Sequence, residues 1–184
     1  LAALAGMLVL AGSGPAPSAY GTHVTDVMPP LQFSMARVSD GANVTAHDYR
    51  GKLVILYFGY TQCPDVCPAT LANIAEALGR LGKHADDVSV LFVSVDPDRD
   101  TRDLLKAYVK AFAPQIDALR GNANEIADLA RRYRVAYGVK KGPPYEVMHS
   151  SAVFFFDAKG DARLVTLETD NTAALAGDME KLLP

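Results

Sequence analysis

Apolar and polar positions along the chain follow two rhythms. From Phe33 to Val38 they alternate residue by residue and an Asp40-Gly41 turn comes next, so residues 31–46 predict a β-hairpin. Leu53 to Gly59 (LVILYFG) is an unbroken apolar run bounded by Gly51-Lys52 and Gly59-Tyr60, the pattern of a strand covered on both faces. Leu71, Ile74, Ala75, Leu78 and Leu81 then recur at helical spacing. Val88 to Val95 (VSVLFVSV) repeats the buried-strand pattern. After it comes DPDRDT, in which Asp100 or Thr101 is placed to cap a helix whose apolar face is Leu105, Tyr108, Val109 and Phe112. Residues 122–133 carry another helical stripe, Ile126, Leu129, Ala130 and Tyr133. Residues 139–148 include Lys140, Lys141, Gly142, Pro143 and Pro144 and predict a loop. Ala152 to Asp157 predicts a strand that Lys159-Gly160 turns into Arg163 to Leu167. Asn171 or Thr172 caps a last helix carrying Leu175, Met179, Leu182 and Leu183.

Strands separated by helices favour parallel pairing with right-handed crossovers, whereas two strands joined by a tight turn must be antiparallel. The chain is therefore an α/β protein. A parallel pair, a hairpin and a closing helix is the order of a thioredoxin-like sandwich, among other α/β arrangements that periodicity alone permits. Ahead of this, Leu1 to Gly12 (LAALAGMLVLAG) carries no charge and gives way to GSGPAPSAYG. The apolar run is shorter than the roughly 20 residues a spanning helix needs. With no initiator Met and no basic flank, it reads as the inner part of a signal peptide or membrane anchor. Residues 1–20 are thus expected to be a remnant leader and tether, and residues 28–184 one domain.

Composition narrows the chemistry. A chain of 184 residues fits a single domain with an appended segment. Lys plus Arg is 18 and Asp plus Glu is 21, so the net charge of −3 provides no electrostatic footprint for nucleic acid. There are two cysteines, four histidines and no tryptophan. Two cysteines can neither staple a disulfide scaffold nor close a four-cysteine zinc site.

Cys63 and Cys67 come after the first buried strand and before a helix, at the sheet edge where ligand sites form and where a helix N-terminus favours thiolate. Pro68 places the start of the regular helix at about Cys67 or Pro68, with Cys63 in an irregular turn. The spacing is C-x-x-x-C. On a helix the two β-carbons would stand about 5–6 Å apart, against about 3.5–4.5 Å in a relaxed disulfide. Both sulfurs can converge on one metal ion without that distortion. A disulfide across so short a loop would constrain the unfolded chain by only about 2 kcal/mol. Two soft thiolates suit Cu(I), or zinc if two further ligands complete its shell. Among the histidines, His149 opens the late strand and so falls at the cysteine edge. His23 lies in the tether, His47 in a polar turn and His84 in a loop after a helix. On topology alone His149 is either a surface residue or a third ligand.

The segments YFGYTQCPDVCPATL, LFVSVDPDRDT and MHSSAVFFFDAKG, in this order and spacing, resemble the Sco/SenC family of copper chaperones, and the resemblance runs from about Pro30 to Leu183. It implies a thioredoxin-like fold with an N-terminal β-hairpin and an inserted helical segment. It implies copper, as Cu(I) or Cu(II), held by the two motif cysteines and a histidine before a late strand, here Cys63, Cys67 and His149. It further implies delivery to the dinuclear copper site of a cytochrome c oxidase subunit, with other periplasmic copper chaperones or a thiol reductant as partners. The domain would be anchored to the inner membrane and face the bacterial periplasm, or be exported and cleaved. An alternative is an extracytoplasmic thiol–disulfide reductase acting through Cys63 and Cys67 on the oxidase cysteines. A thiol peroxidase is disfavoured, because Thr61 stands two rather than three residues before Cys63 and there is no Trp. The family usually has Asp before its His, where this chain has Met148. Met148 is then either a soft neighbour that favours Cu(I) or apolar packing. Asp96, Asp98 and Asp100 have the look of a hard-cation cluster, but helix capping and turn formation explain them more cheaply, and the resemblance adds a site-shaping role. Lys140 and Lys141 read as a solvated loop, the alternative being a guide for an acidic partner.

Overall fold

In chain order the strands and helices are β1 Thr22–His23, β2 Ser34–Arg37, β3 Asn43–Thr45, β4 Leu53–Gly59, α1 Val66–Leu81, β5 Val88–Ser94 and α2 Arg102–Lys110. They continue with β6 Ile116–Arg120, α3 Ala123–Arg132, β7 Tyr137–Lys140, β8 Glu146–His149, β9 Val153–Phe156, β10 Ala162–Thr166 and α4 Thr172–Leu182. The computed structural model describes residues 19–184; the leader and tether expected over residues 1–20 lie, up to residue 18, outside them.

Eight strands form one mixed sheet in the order β1-β10-β9-β4-β5-β6-β2-β3. Both predicted buried strands sit at its centre. β4 pairs parallel to β5 along its whole length, from Leu53 opposite Val88 to Gly59 opposite Ser94, and antiparallel to β9 on its other side. Every β4 residue is buried, and each large apolar side chain so removed from water contributes about 1.5–3 kcal/mol. The end of β4 is therefore a rigid platform for the cysteine turn and α1. α1 and α4 pack against one another. Behind α3, Tyr133 stacks on Phe154 and Phe156 of β9, and its hydroxyl donates to the Pro30 carbonyl while accepting from the Gln32 N–H.

The thioredoxin-like α/β expectation holds, with the N-terminal hairpin present as β2–β3. Four strands carry no signal in the hydrophobic pattern. β6 extends the parallel set beside β5; its five residues IDALR bury only in part and show no clean alternation. β1 is a two-residue edge strand on β10, so His23 lies in the sheet and not in a tether. The segment expected as a loop over 139–148 is a second, two-stranded sheet, β7 against β8. Its residues are mostly half-buried or exposed, which explains why no apolar run announces it. α1 begins at Val66, slightly ahead of the expected start, and Pro68 occupies the first turn, where its missing N–H has no helical partner to lose.

Candidate metal centre

Cys63, Cys67 and His149 reach one point from three places in the chain. Cys63 stands in the turn after β4, and its backbone N–H donates to the Tyr60 carbonyl. Cys67 lies in the first turn of α1, fully buried, and its backbone N–H points at Cys63 Sγ at 3.4 Å. His149 does not open the late strand as expected. It ends β8, and β9 starts at Val153. It still arrives at the cysteine edge, because β9 runs antiparallel to β4 with Val153 beside Tyr57.

His149 Nε2 is 3.1 Å from Cys67 Sγ and 3.9 Å from Cys63 Sγ. The three donor atoms all lie within 4.8 Å of one another, and both cysteines are free thiols. His149 Nδ1 is 2.9 Å from the Ser150 carbonyl oxygen. A carbonyl can only accept, so Nδ1 carries the proton and Nε2 turns its lone pair to the sulfurs. The imidazole is clamped by two rings set edge-on, Tyr60 at 5.7 Å and Tyr57 at 6.2 Å.

Burial pushes the Cys67 thiol up to about 12, and hydrogen bonding with Cys63 adds to the rise. A cation in this position would displace that proton and restore the thiolate. Beneath it, the hydroxyls of Tyr57 and Tyr108 are buried without a hydrogen-bond partner, and burial followed by the adjacent Cys67 holds both well above the usual tyrosine range. Two sulfurs and one imidazole suit a soft, low-coordinate ion. Zinc would want a fourth ligand, and among the described residues the group contains only these three.

Gly59 makes the close approach possible. A β-carbon there would stand 2.8 Å from Cys67 Sγ and 2.6 Å from Phe92 Cε2. Asp100 departs from its expected capping or turn role. Thr101 caps α2, and Asp100 points inward, where it accepts from the Thr61 N–H and hydroxyl and from the Ser94 hydroxyl at 2.6 Å. Asp96 is equally buried and meets Arg99 and Tyr145. Sequence spacing hints at these aspartates but not at Gly59, Tyr57, Tyr60 or Tyr145. Met148 does not turn toward the site. Successive strand residues face opposite ways, and with His149 inward Met148 stands 73% exposed, over Gly138 of the paired strand. His23, His47 and His84 are exposed and stand apart from the cysteine group.

A family model described as SCO1/SenC matches residues 31–184. A SCO2-like protein of Rickettsia conorii is 39% identical over 115 residues, covering 60% of this chain and 56% of that protein. The mitochondrial protein SCO1 homolog 1 of Arabidopsis thaliana is 42% identical over 125 residues, covering 66% of this chain and 37% of its own length. This chain thus spans less than two thirds of the length of these relatives. Among solved structures, Bradyrhizobium japonicum ScoI with copper bound superposes with a TM-score of 0.75 at 35% identity, over 84% of this chain and 99% of that one.

Proposed function

The chain belongs to the SCO1/SenC family, and we propose that it is a copper metallochaperone whose cargo is held by Cys63, Cys67 and His149. The observation that carries the reading is the convergence of two free thiols and one imidazole, whose Nδ1 meets the Ser150 carbonyl, within 4.8 Å. The copper bound in the Bradyrhizobium structure supports it. The recipient is the dinuclear copper site of a cytochrome c oxidase subunit, as the resemblance implies, with other copper chaperones or a thiol reductant loading the domain. Loading requires reduced cysteines and releases the Cys67 proton. Among the described residues no helix is long and apolar enough to cross a membrane. The charge-free run at residues 1–12 supports an anchor to the inner membrane, with the domain facing the periplasm.

A thiol–disulfide reductase is less well supported. Its second thiol would have to be Cys67, which is fully buried and faces His149 Nε2 at 3.1 Å. The test is a Cu(I) titration of the reduced protein. A stoichiometric complex that is lost in Cys63→Ser and weakened in His149→Ala is expected. A His149→Ala protein that sustains full oxidase assembly would overturn the chaperone reading.

A further inference from the structure

The β7–β8 hairpin has no ladder bonds to the main sheet, yet it carries His149 at its end. A lone two-stranded hairpin is only marginally stable in water, so something outside must fix it. Tyr137 and Val147 pack against the core. The polar ties run from the hairpin's tip to the loop after β5. The Tyr145 hydroxyl donates to Asp96 Oδ1 at 2.7 Å, and Lys141 pairs with Asp98. The Asp96 carboxylate is 1% exposed and takes Arg99 on its other oxygen. The Arg99 guanidinium lies on the Tyr145 ring, 3.8 Å from its centroid, with Tyr60 at 5.9 Å. It also donates to Gln62 in the cysteine turn at 3.1 Å. Through Asp100 the same loop holds Thr61. One short segment therefore grips both walls of a cleft of about 720 Å³ between the cysteine turn and the hairpin, lined among others by Tyr60, Pro64, Arg99, Tyr145, Val147 and the exposed Met148.

We propose that Tyr145, Arg99 and Asp96 are positioning residues that latch the hairpin and thereby set the reach of His149 Nε2 to the two sulfurs. The inference rests on the reading of Cys63, Cys67 and His149 as copper ligands. Tyr145 immediately precedes β8, four residues before His149 at its end, so a tilt released at the latch is delivered to the imidazole. The two soft thiolates carry most of the affinity for Cu(I), whereas Cu(II) depends more on the nitrogen donor. The latch therefore governs the oxidised form of the cargo site more than the reduced one.

The test uses the full reduced chain and the variants Tyr145→Phe, His149→Ala and their combination. Tyr145→Phe keeps the ring on Arg99 and deletes only the hydroxyl. Cu(II) affinity is expected to fall about tenfold in Tyr145→Phe, the loss of one bond to a buried carboxylate, with weakened nitrogen hyperfine coupling in the electron paramagnetic resonance spectrum. Cu(I) affinity stays within about twofold, because both sulfurs remain, while the thermal midpoint falls modestly because Asp96 Oδ1 loses its donor. In the His149→Ala background the same change adds nothing, since both act through one imidazole. In the metal-free protein, hairpin amides from 137 to 149 exchange faster while those of β4 and β5 do not. Unchanged Cu(II) affinity in Tyr145→Phe, or an equal loss on top of His149→Ala, overturns the latch. Copper affinity untouched by His149→Ala overturns the ligand assignment instead, and exchange of the metal-free hairpin then decides the latch by itself.

Discussion

Replacing Gly59 by alanine probes the site at its tightest point. The added β-carbon would stand 2.6 Å from Phe92 Cε2 and 2.8 Å from Cys67 Sγ. Comfortable carbon contacts are about 3.5–4.0 Å, so both neighbours must retreat by about 1 Å. Neither has room. Phe92 and Cys67 are both 0% exposed, and the Phe92 ring is held between Tyr57 at 6.0 Å and Tyr108 at 5.6 Å. Overpacking of this kind costs about 1–3 kcal/mol, a sizeable part of the roughly 5–15 kcal/mol that holds a domain folded. A retreat of that size is also large against the 3.1 Å between Cys67 Sγ and His149 Nε2, so Cu(I) affinity should fall with stability. Gly79 is the control: it lies inside α1, and a β-carbon added there would meet nothing within 4 Å. At that position the same substitution relieves backbone entropy and should stabilise by about 0.5–1 kcal/mol. Urea unfolding and a Cu(I) competition titration read both effects. Gly59→Ala within about 0.5 kcal/mol of wild type, with unchanged Cu(I) affinity, would refute the clash.

The same contacts set four further outcomes. The Cys67 thiol stays protonated to about 12 in the folded protein, while in the unfolded chain it ionises from an ordinary 9.0. The unfolded state then loses its proton first, so metal-free stability should decline as pH climbs from 9 toward 12. Denaturant midpoints of wild type and Cys67→Ala should diverge over that range, and parallel curves would count against it. Asp100→Ala orphans the Thr61 N–H and the Ser94 hydroxyl and should destabilise by about 2–4 kcal/mol in urea. Tyr133→Phe deletes the bonds to Pro30 and Gln32 and should cost about 1–2 kcal/mol, with faster amide exchange confined to residues near Gln32. Met148→Asp should leave the ratio of Cu(I) to Cu(II) affinity unchanged in competition titrations, because residue 148 faces away from His149.

The parts of the fold legible in the sequence are those whose stability comes from continuous burial. LVILYFG and VSVLFVSV announce β4 and β5 because every residue must be apolar when both faces are covered. The β7–β8 hairpin is invisible for the converse reason. YGVKKGPPYEVMH holds its shape through a tyrosine, an arginine and a buried aspartate donated by another loop. Of the three converging side chains, the cysteines are legible locally, because strand, turn and helix are adjacent in sequence. His149 lies 82 residues beyond Cys67, and only the return of an antiparallel late strand to the end of β4 brings it to the right edge. That topology outlasts the wrong element assignment for His149, since β8 and β9 meet at that edge. The inward turn of Asp100 has no local signal, because its partners Thr61 and Ser94 belong to two different strand ends.

The short strand β1 sets where the domain hangs from the rest of its chain. Thr22 stands opposite Val165, Val165 opposite Phe154, and Phe154 opposite Leu56, so a single row crosses four strands from β1 to β4. His23 lies one row further back, level with Ile55, so residues before Thr22 lie toward the Gly59 end of β4. The polypeptide therefore enters the sheet on the same rim as the two thiols. That entry is fastened by the Tyr20 hydroxyl on Asp170 and the Gly21 N–H on buried Asp178, both at 2.8 Å. The thiols and the chain's point of entry thus share one rim of the sheet, opposite the end where β4 and β5 begin.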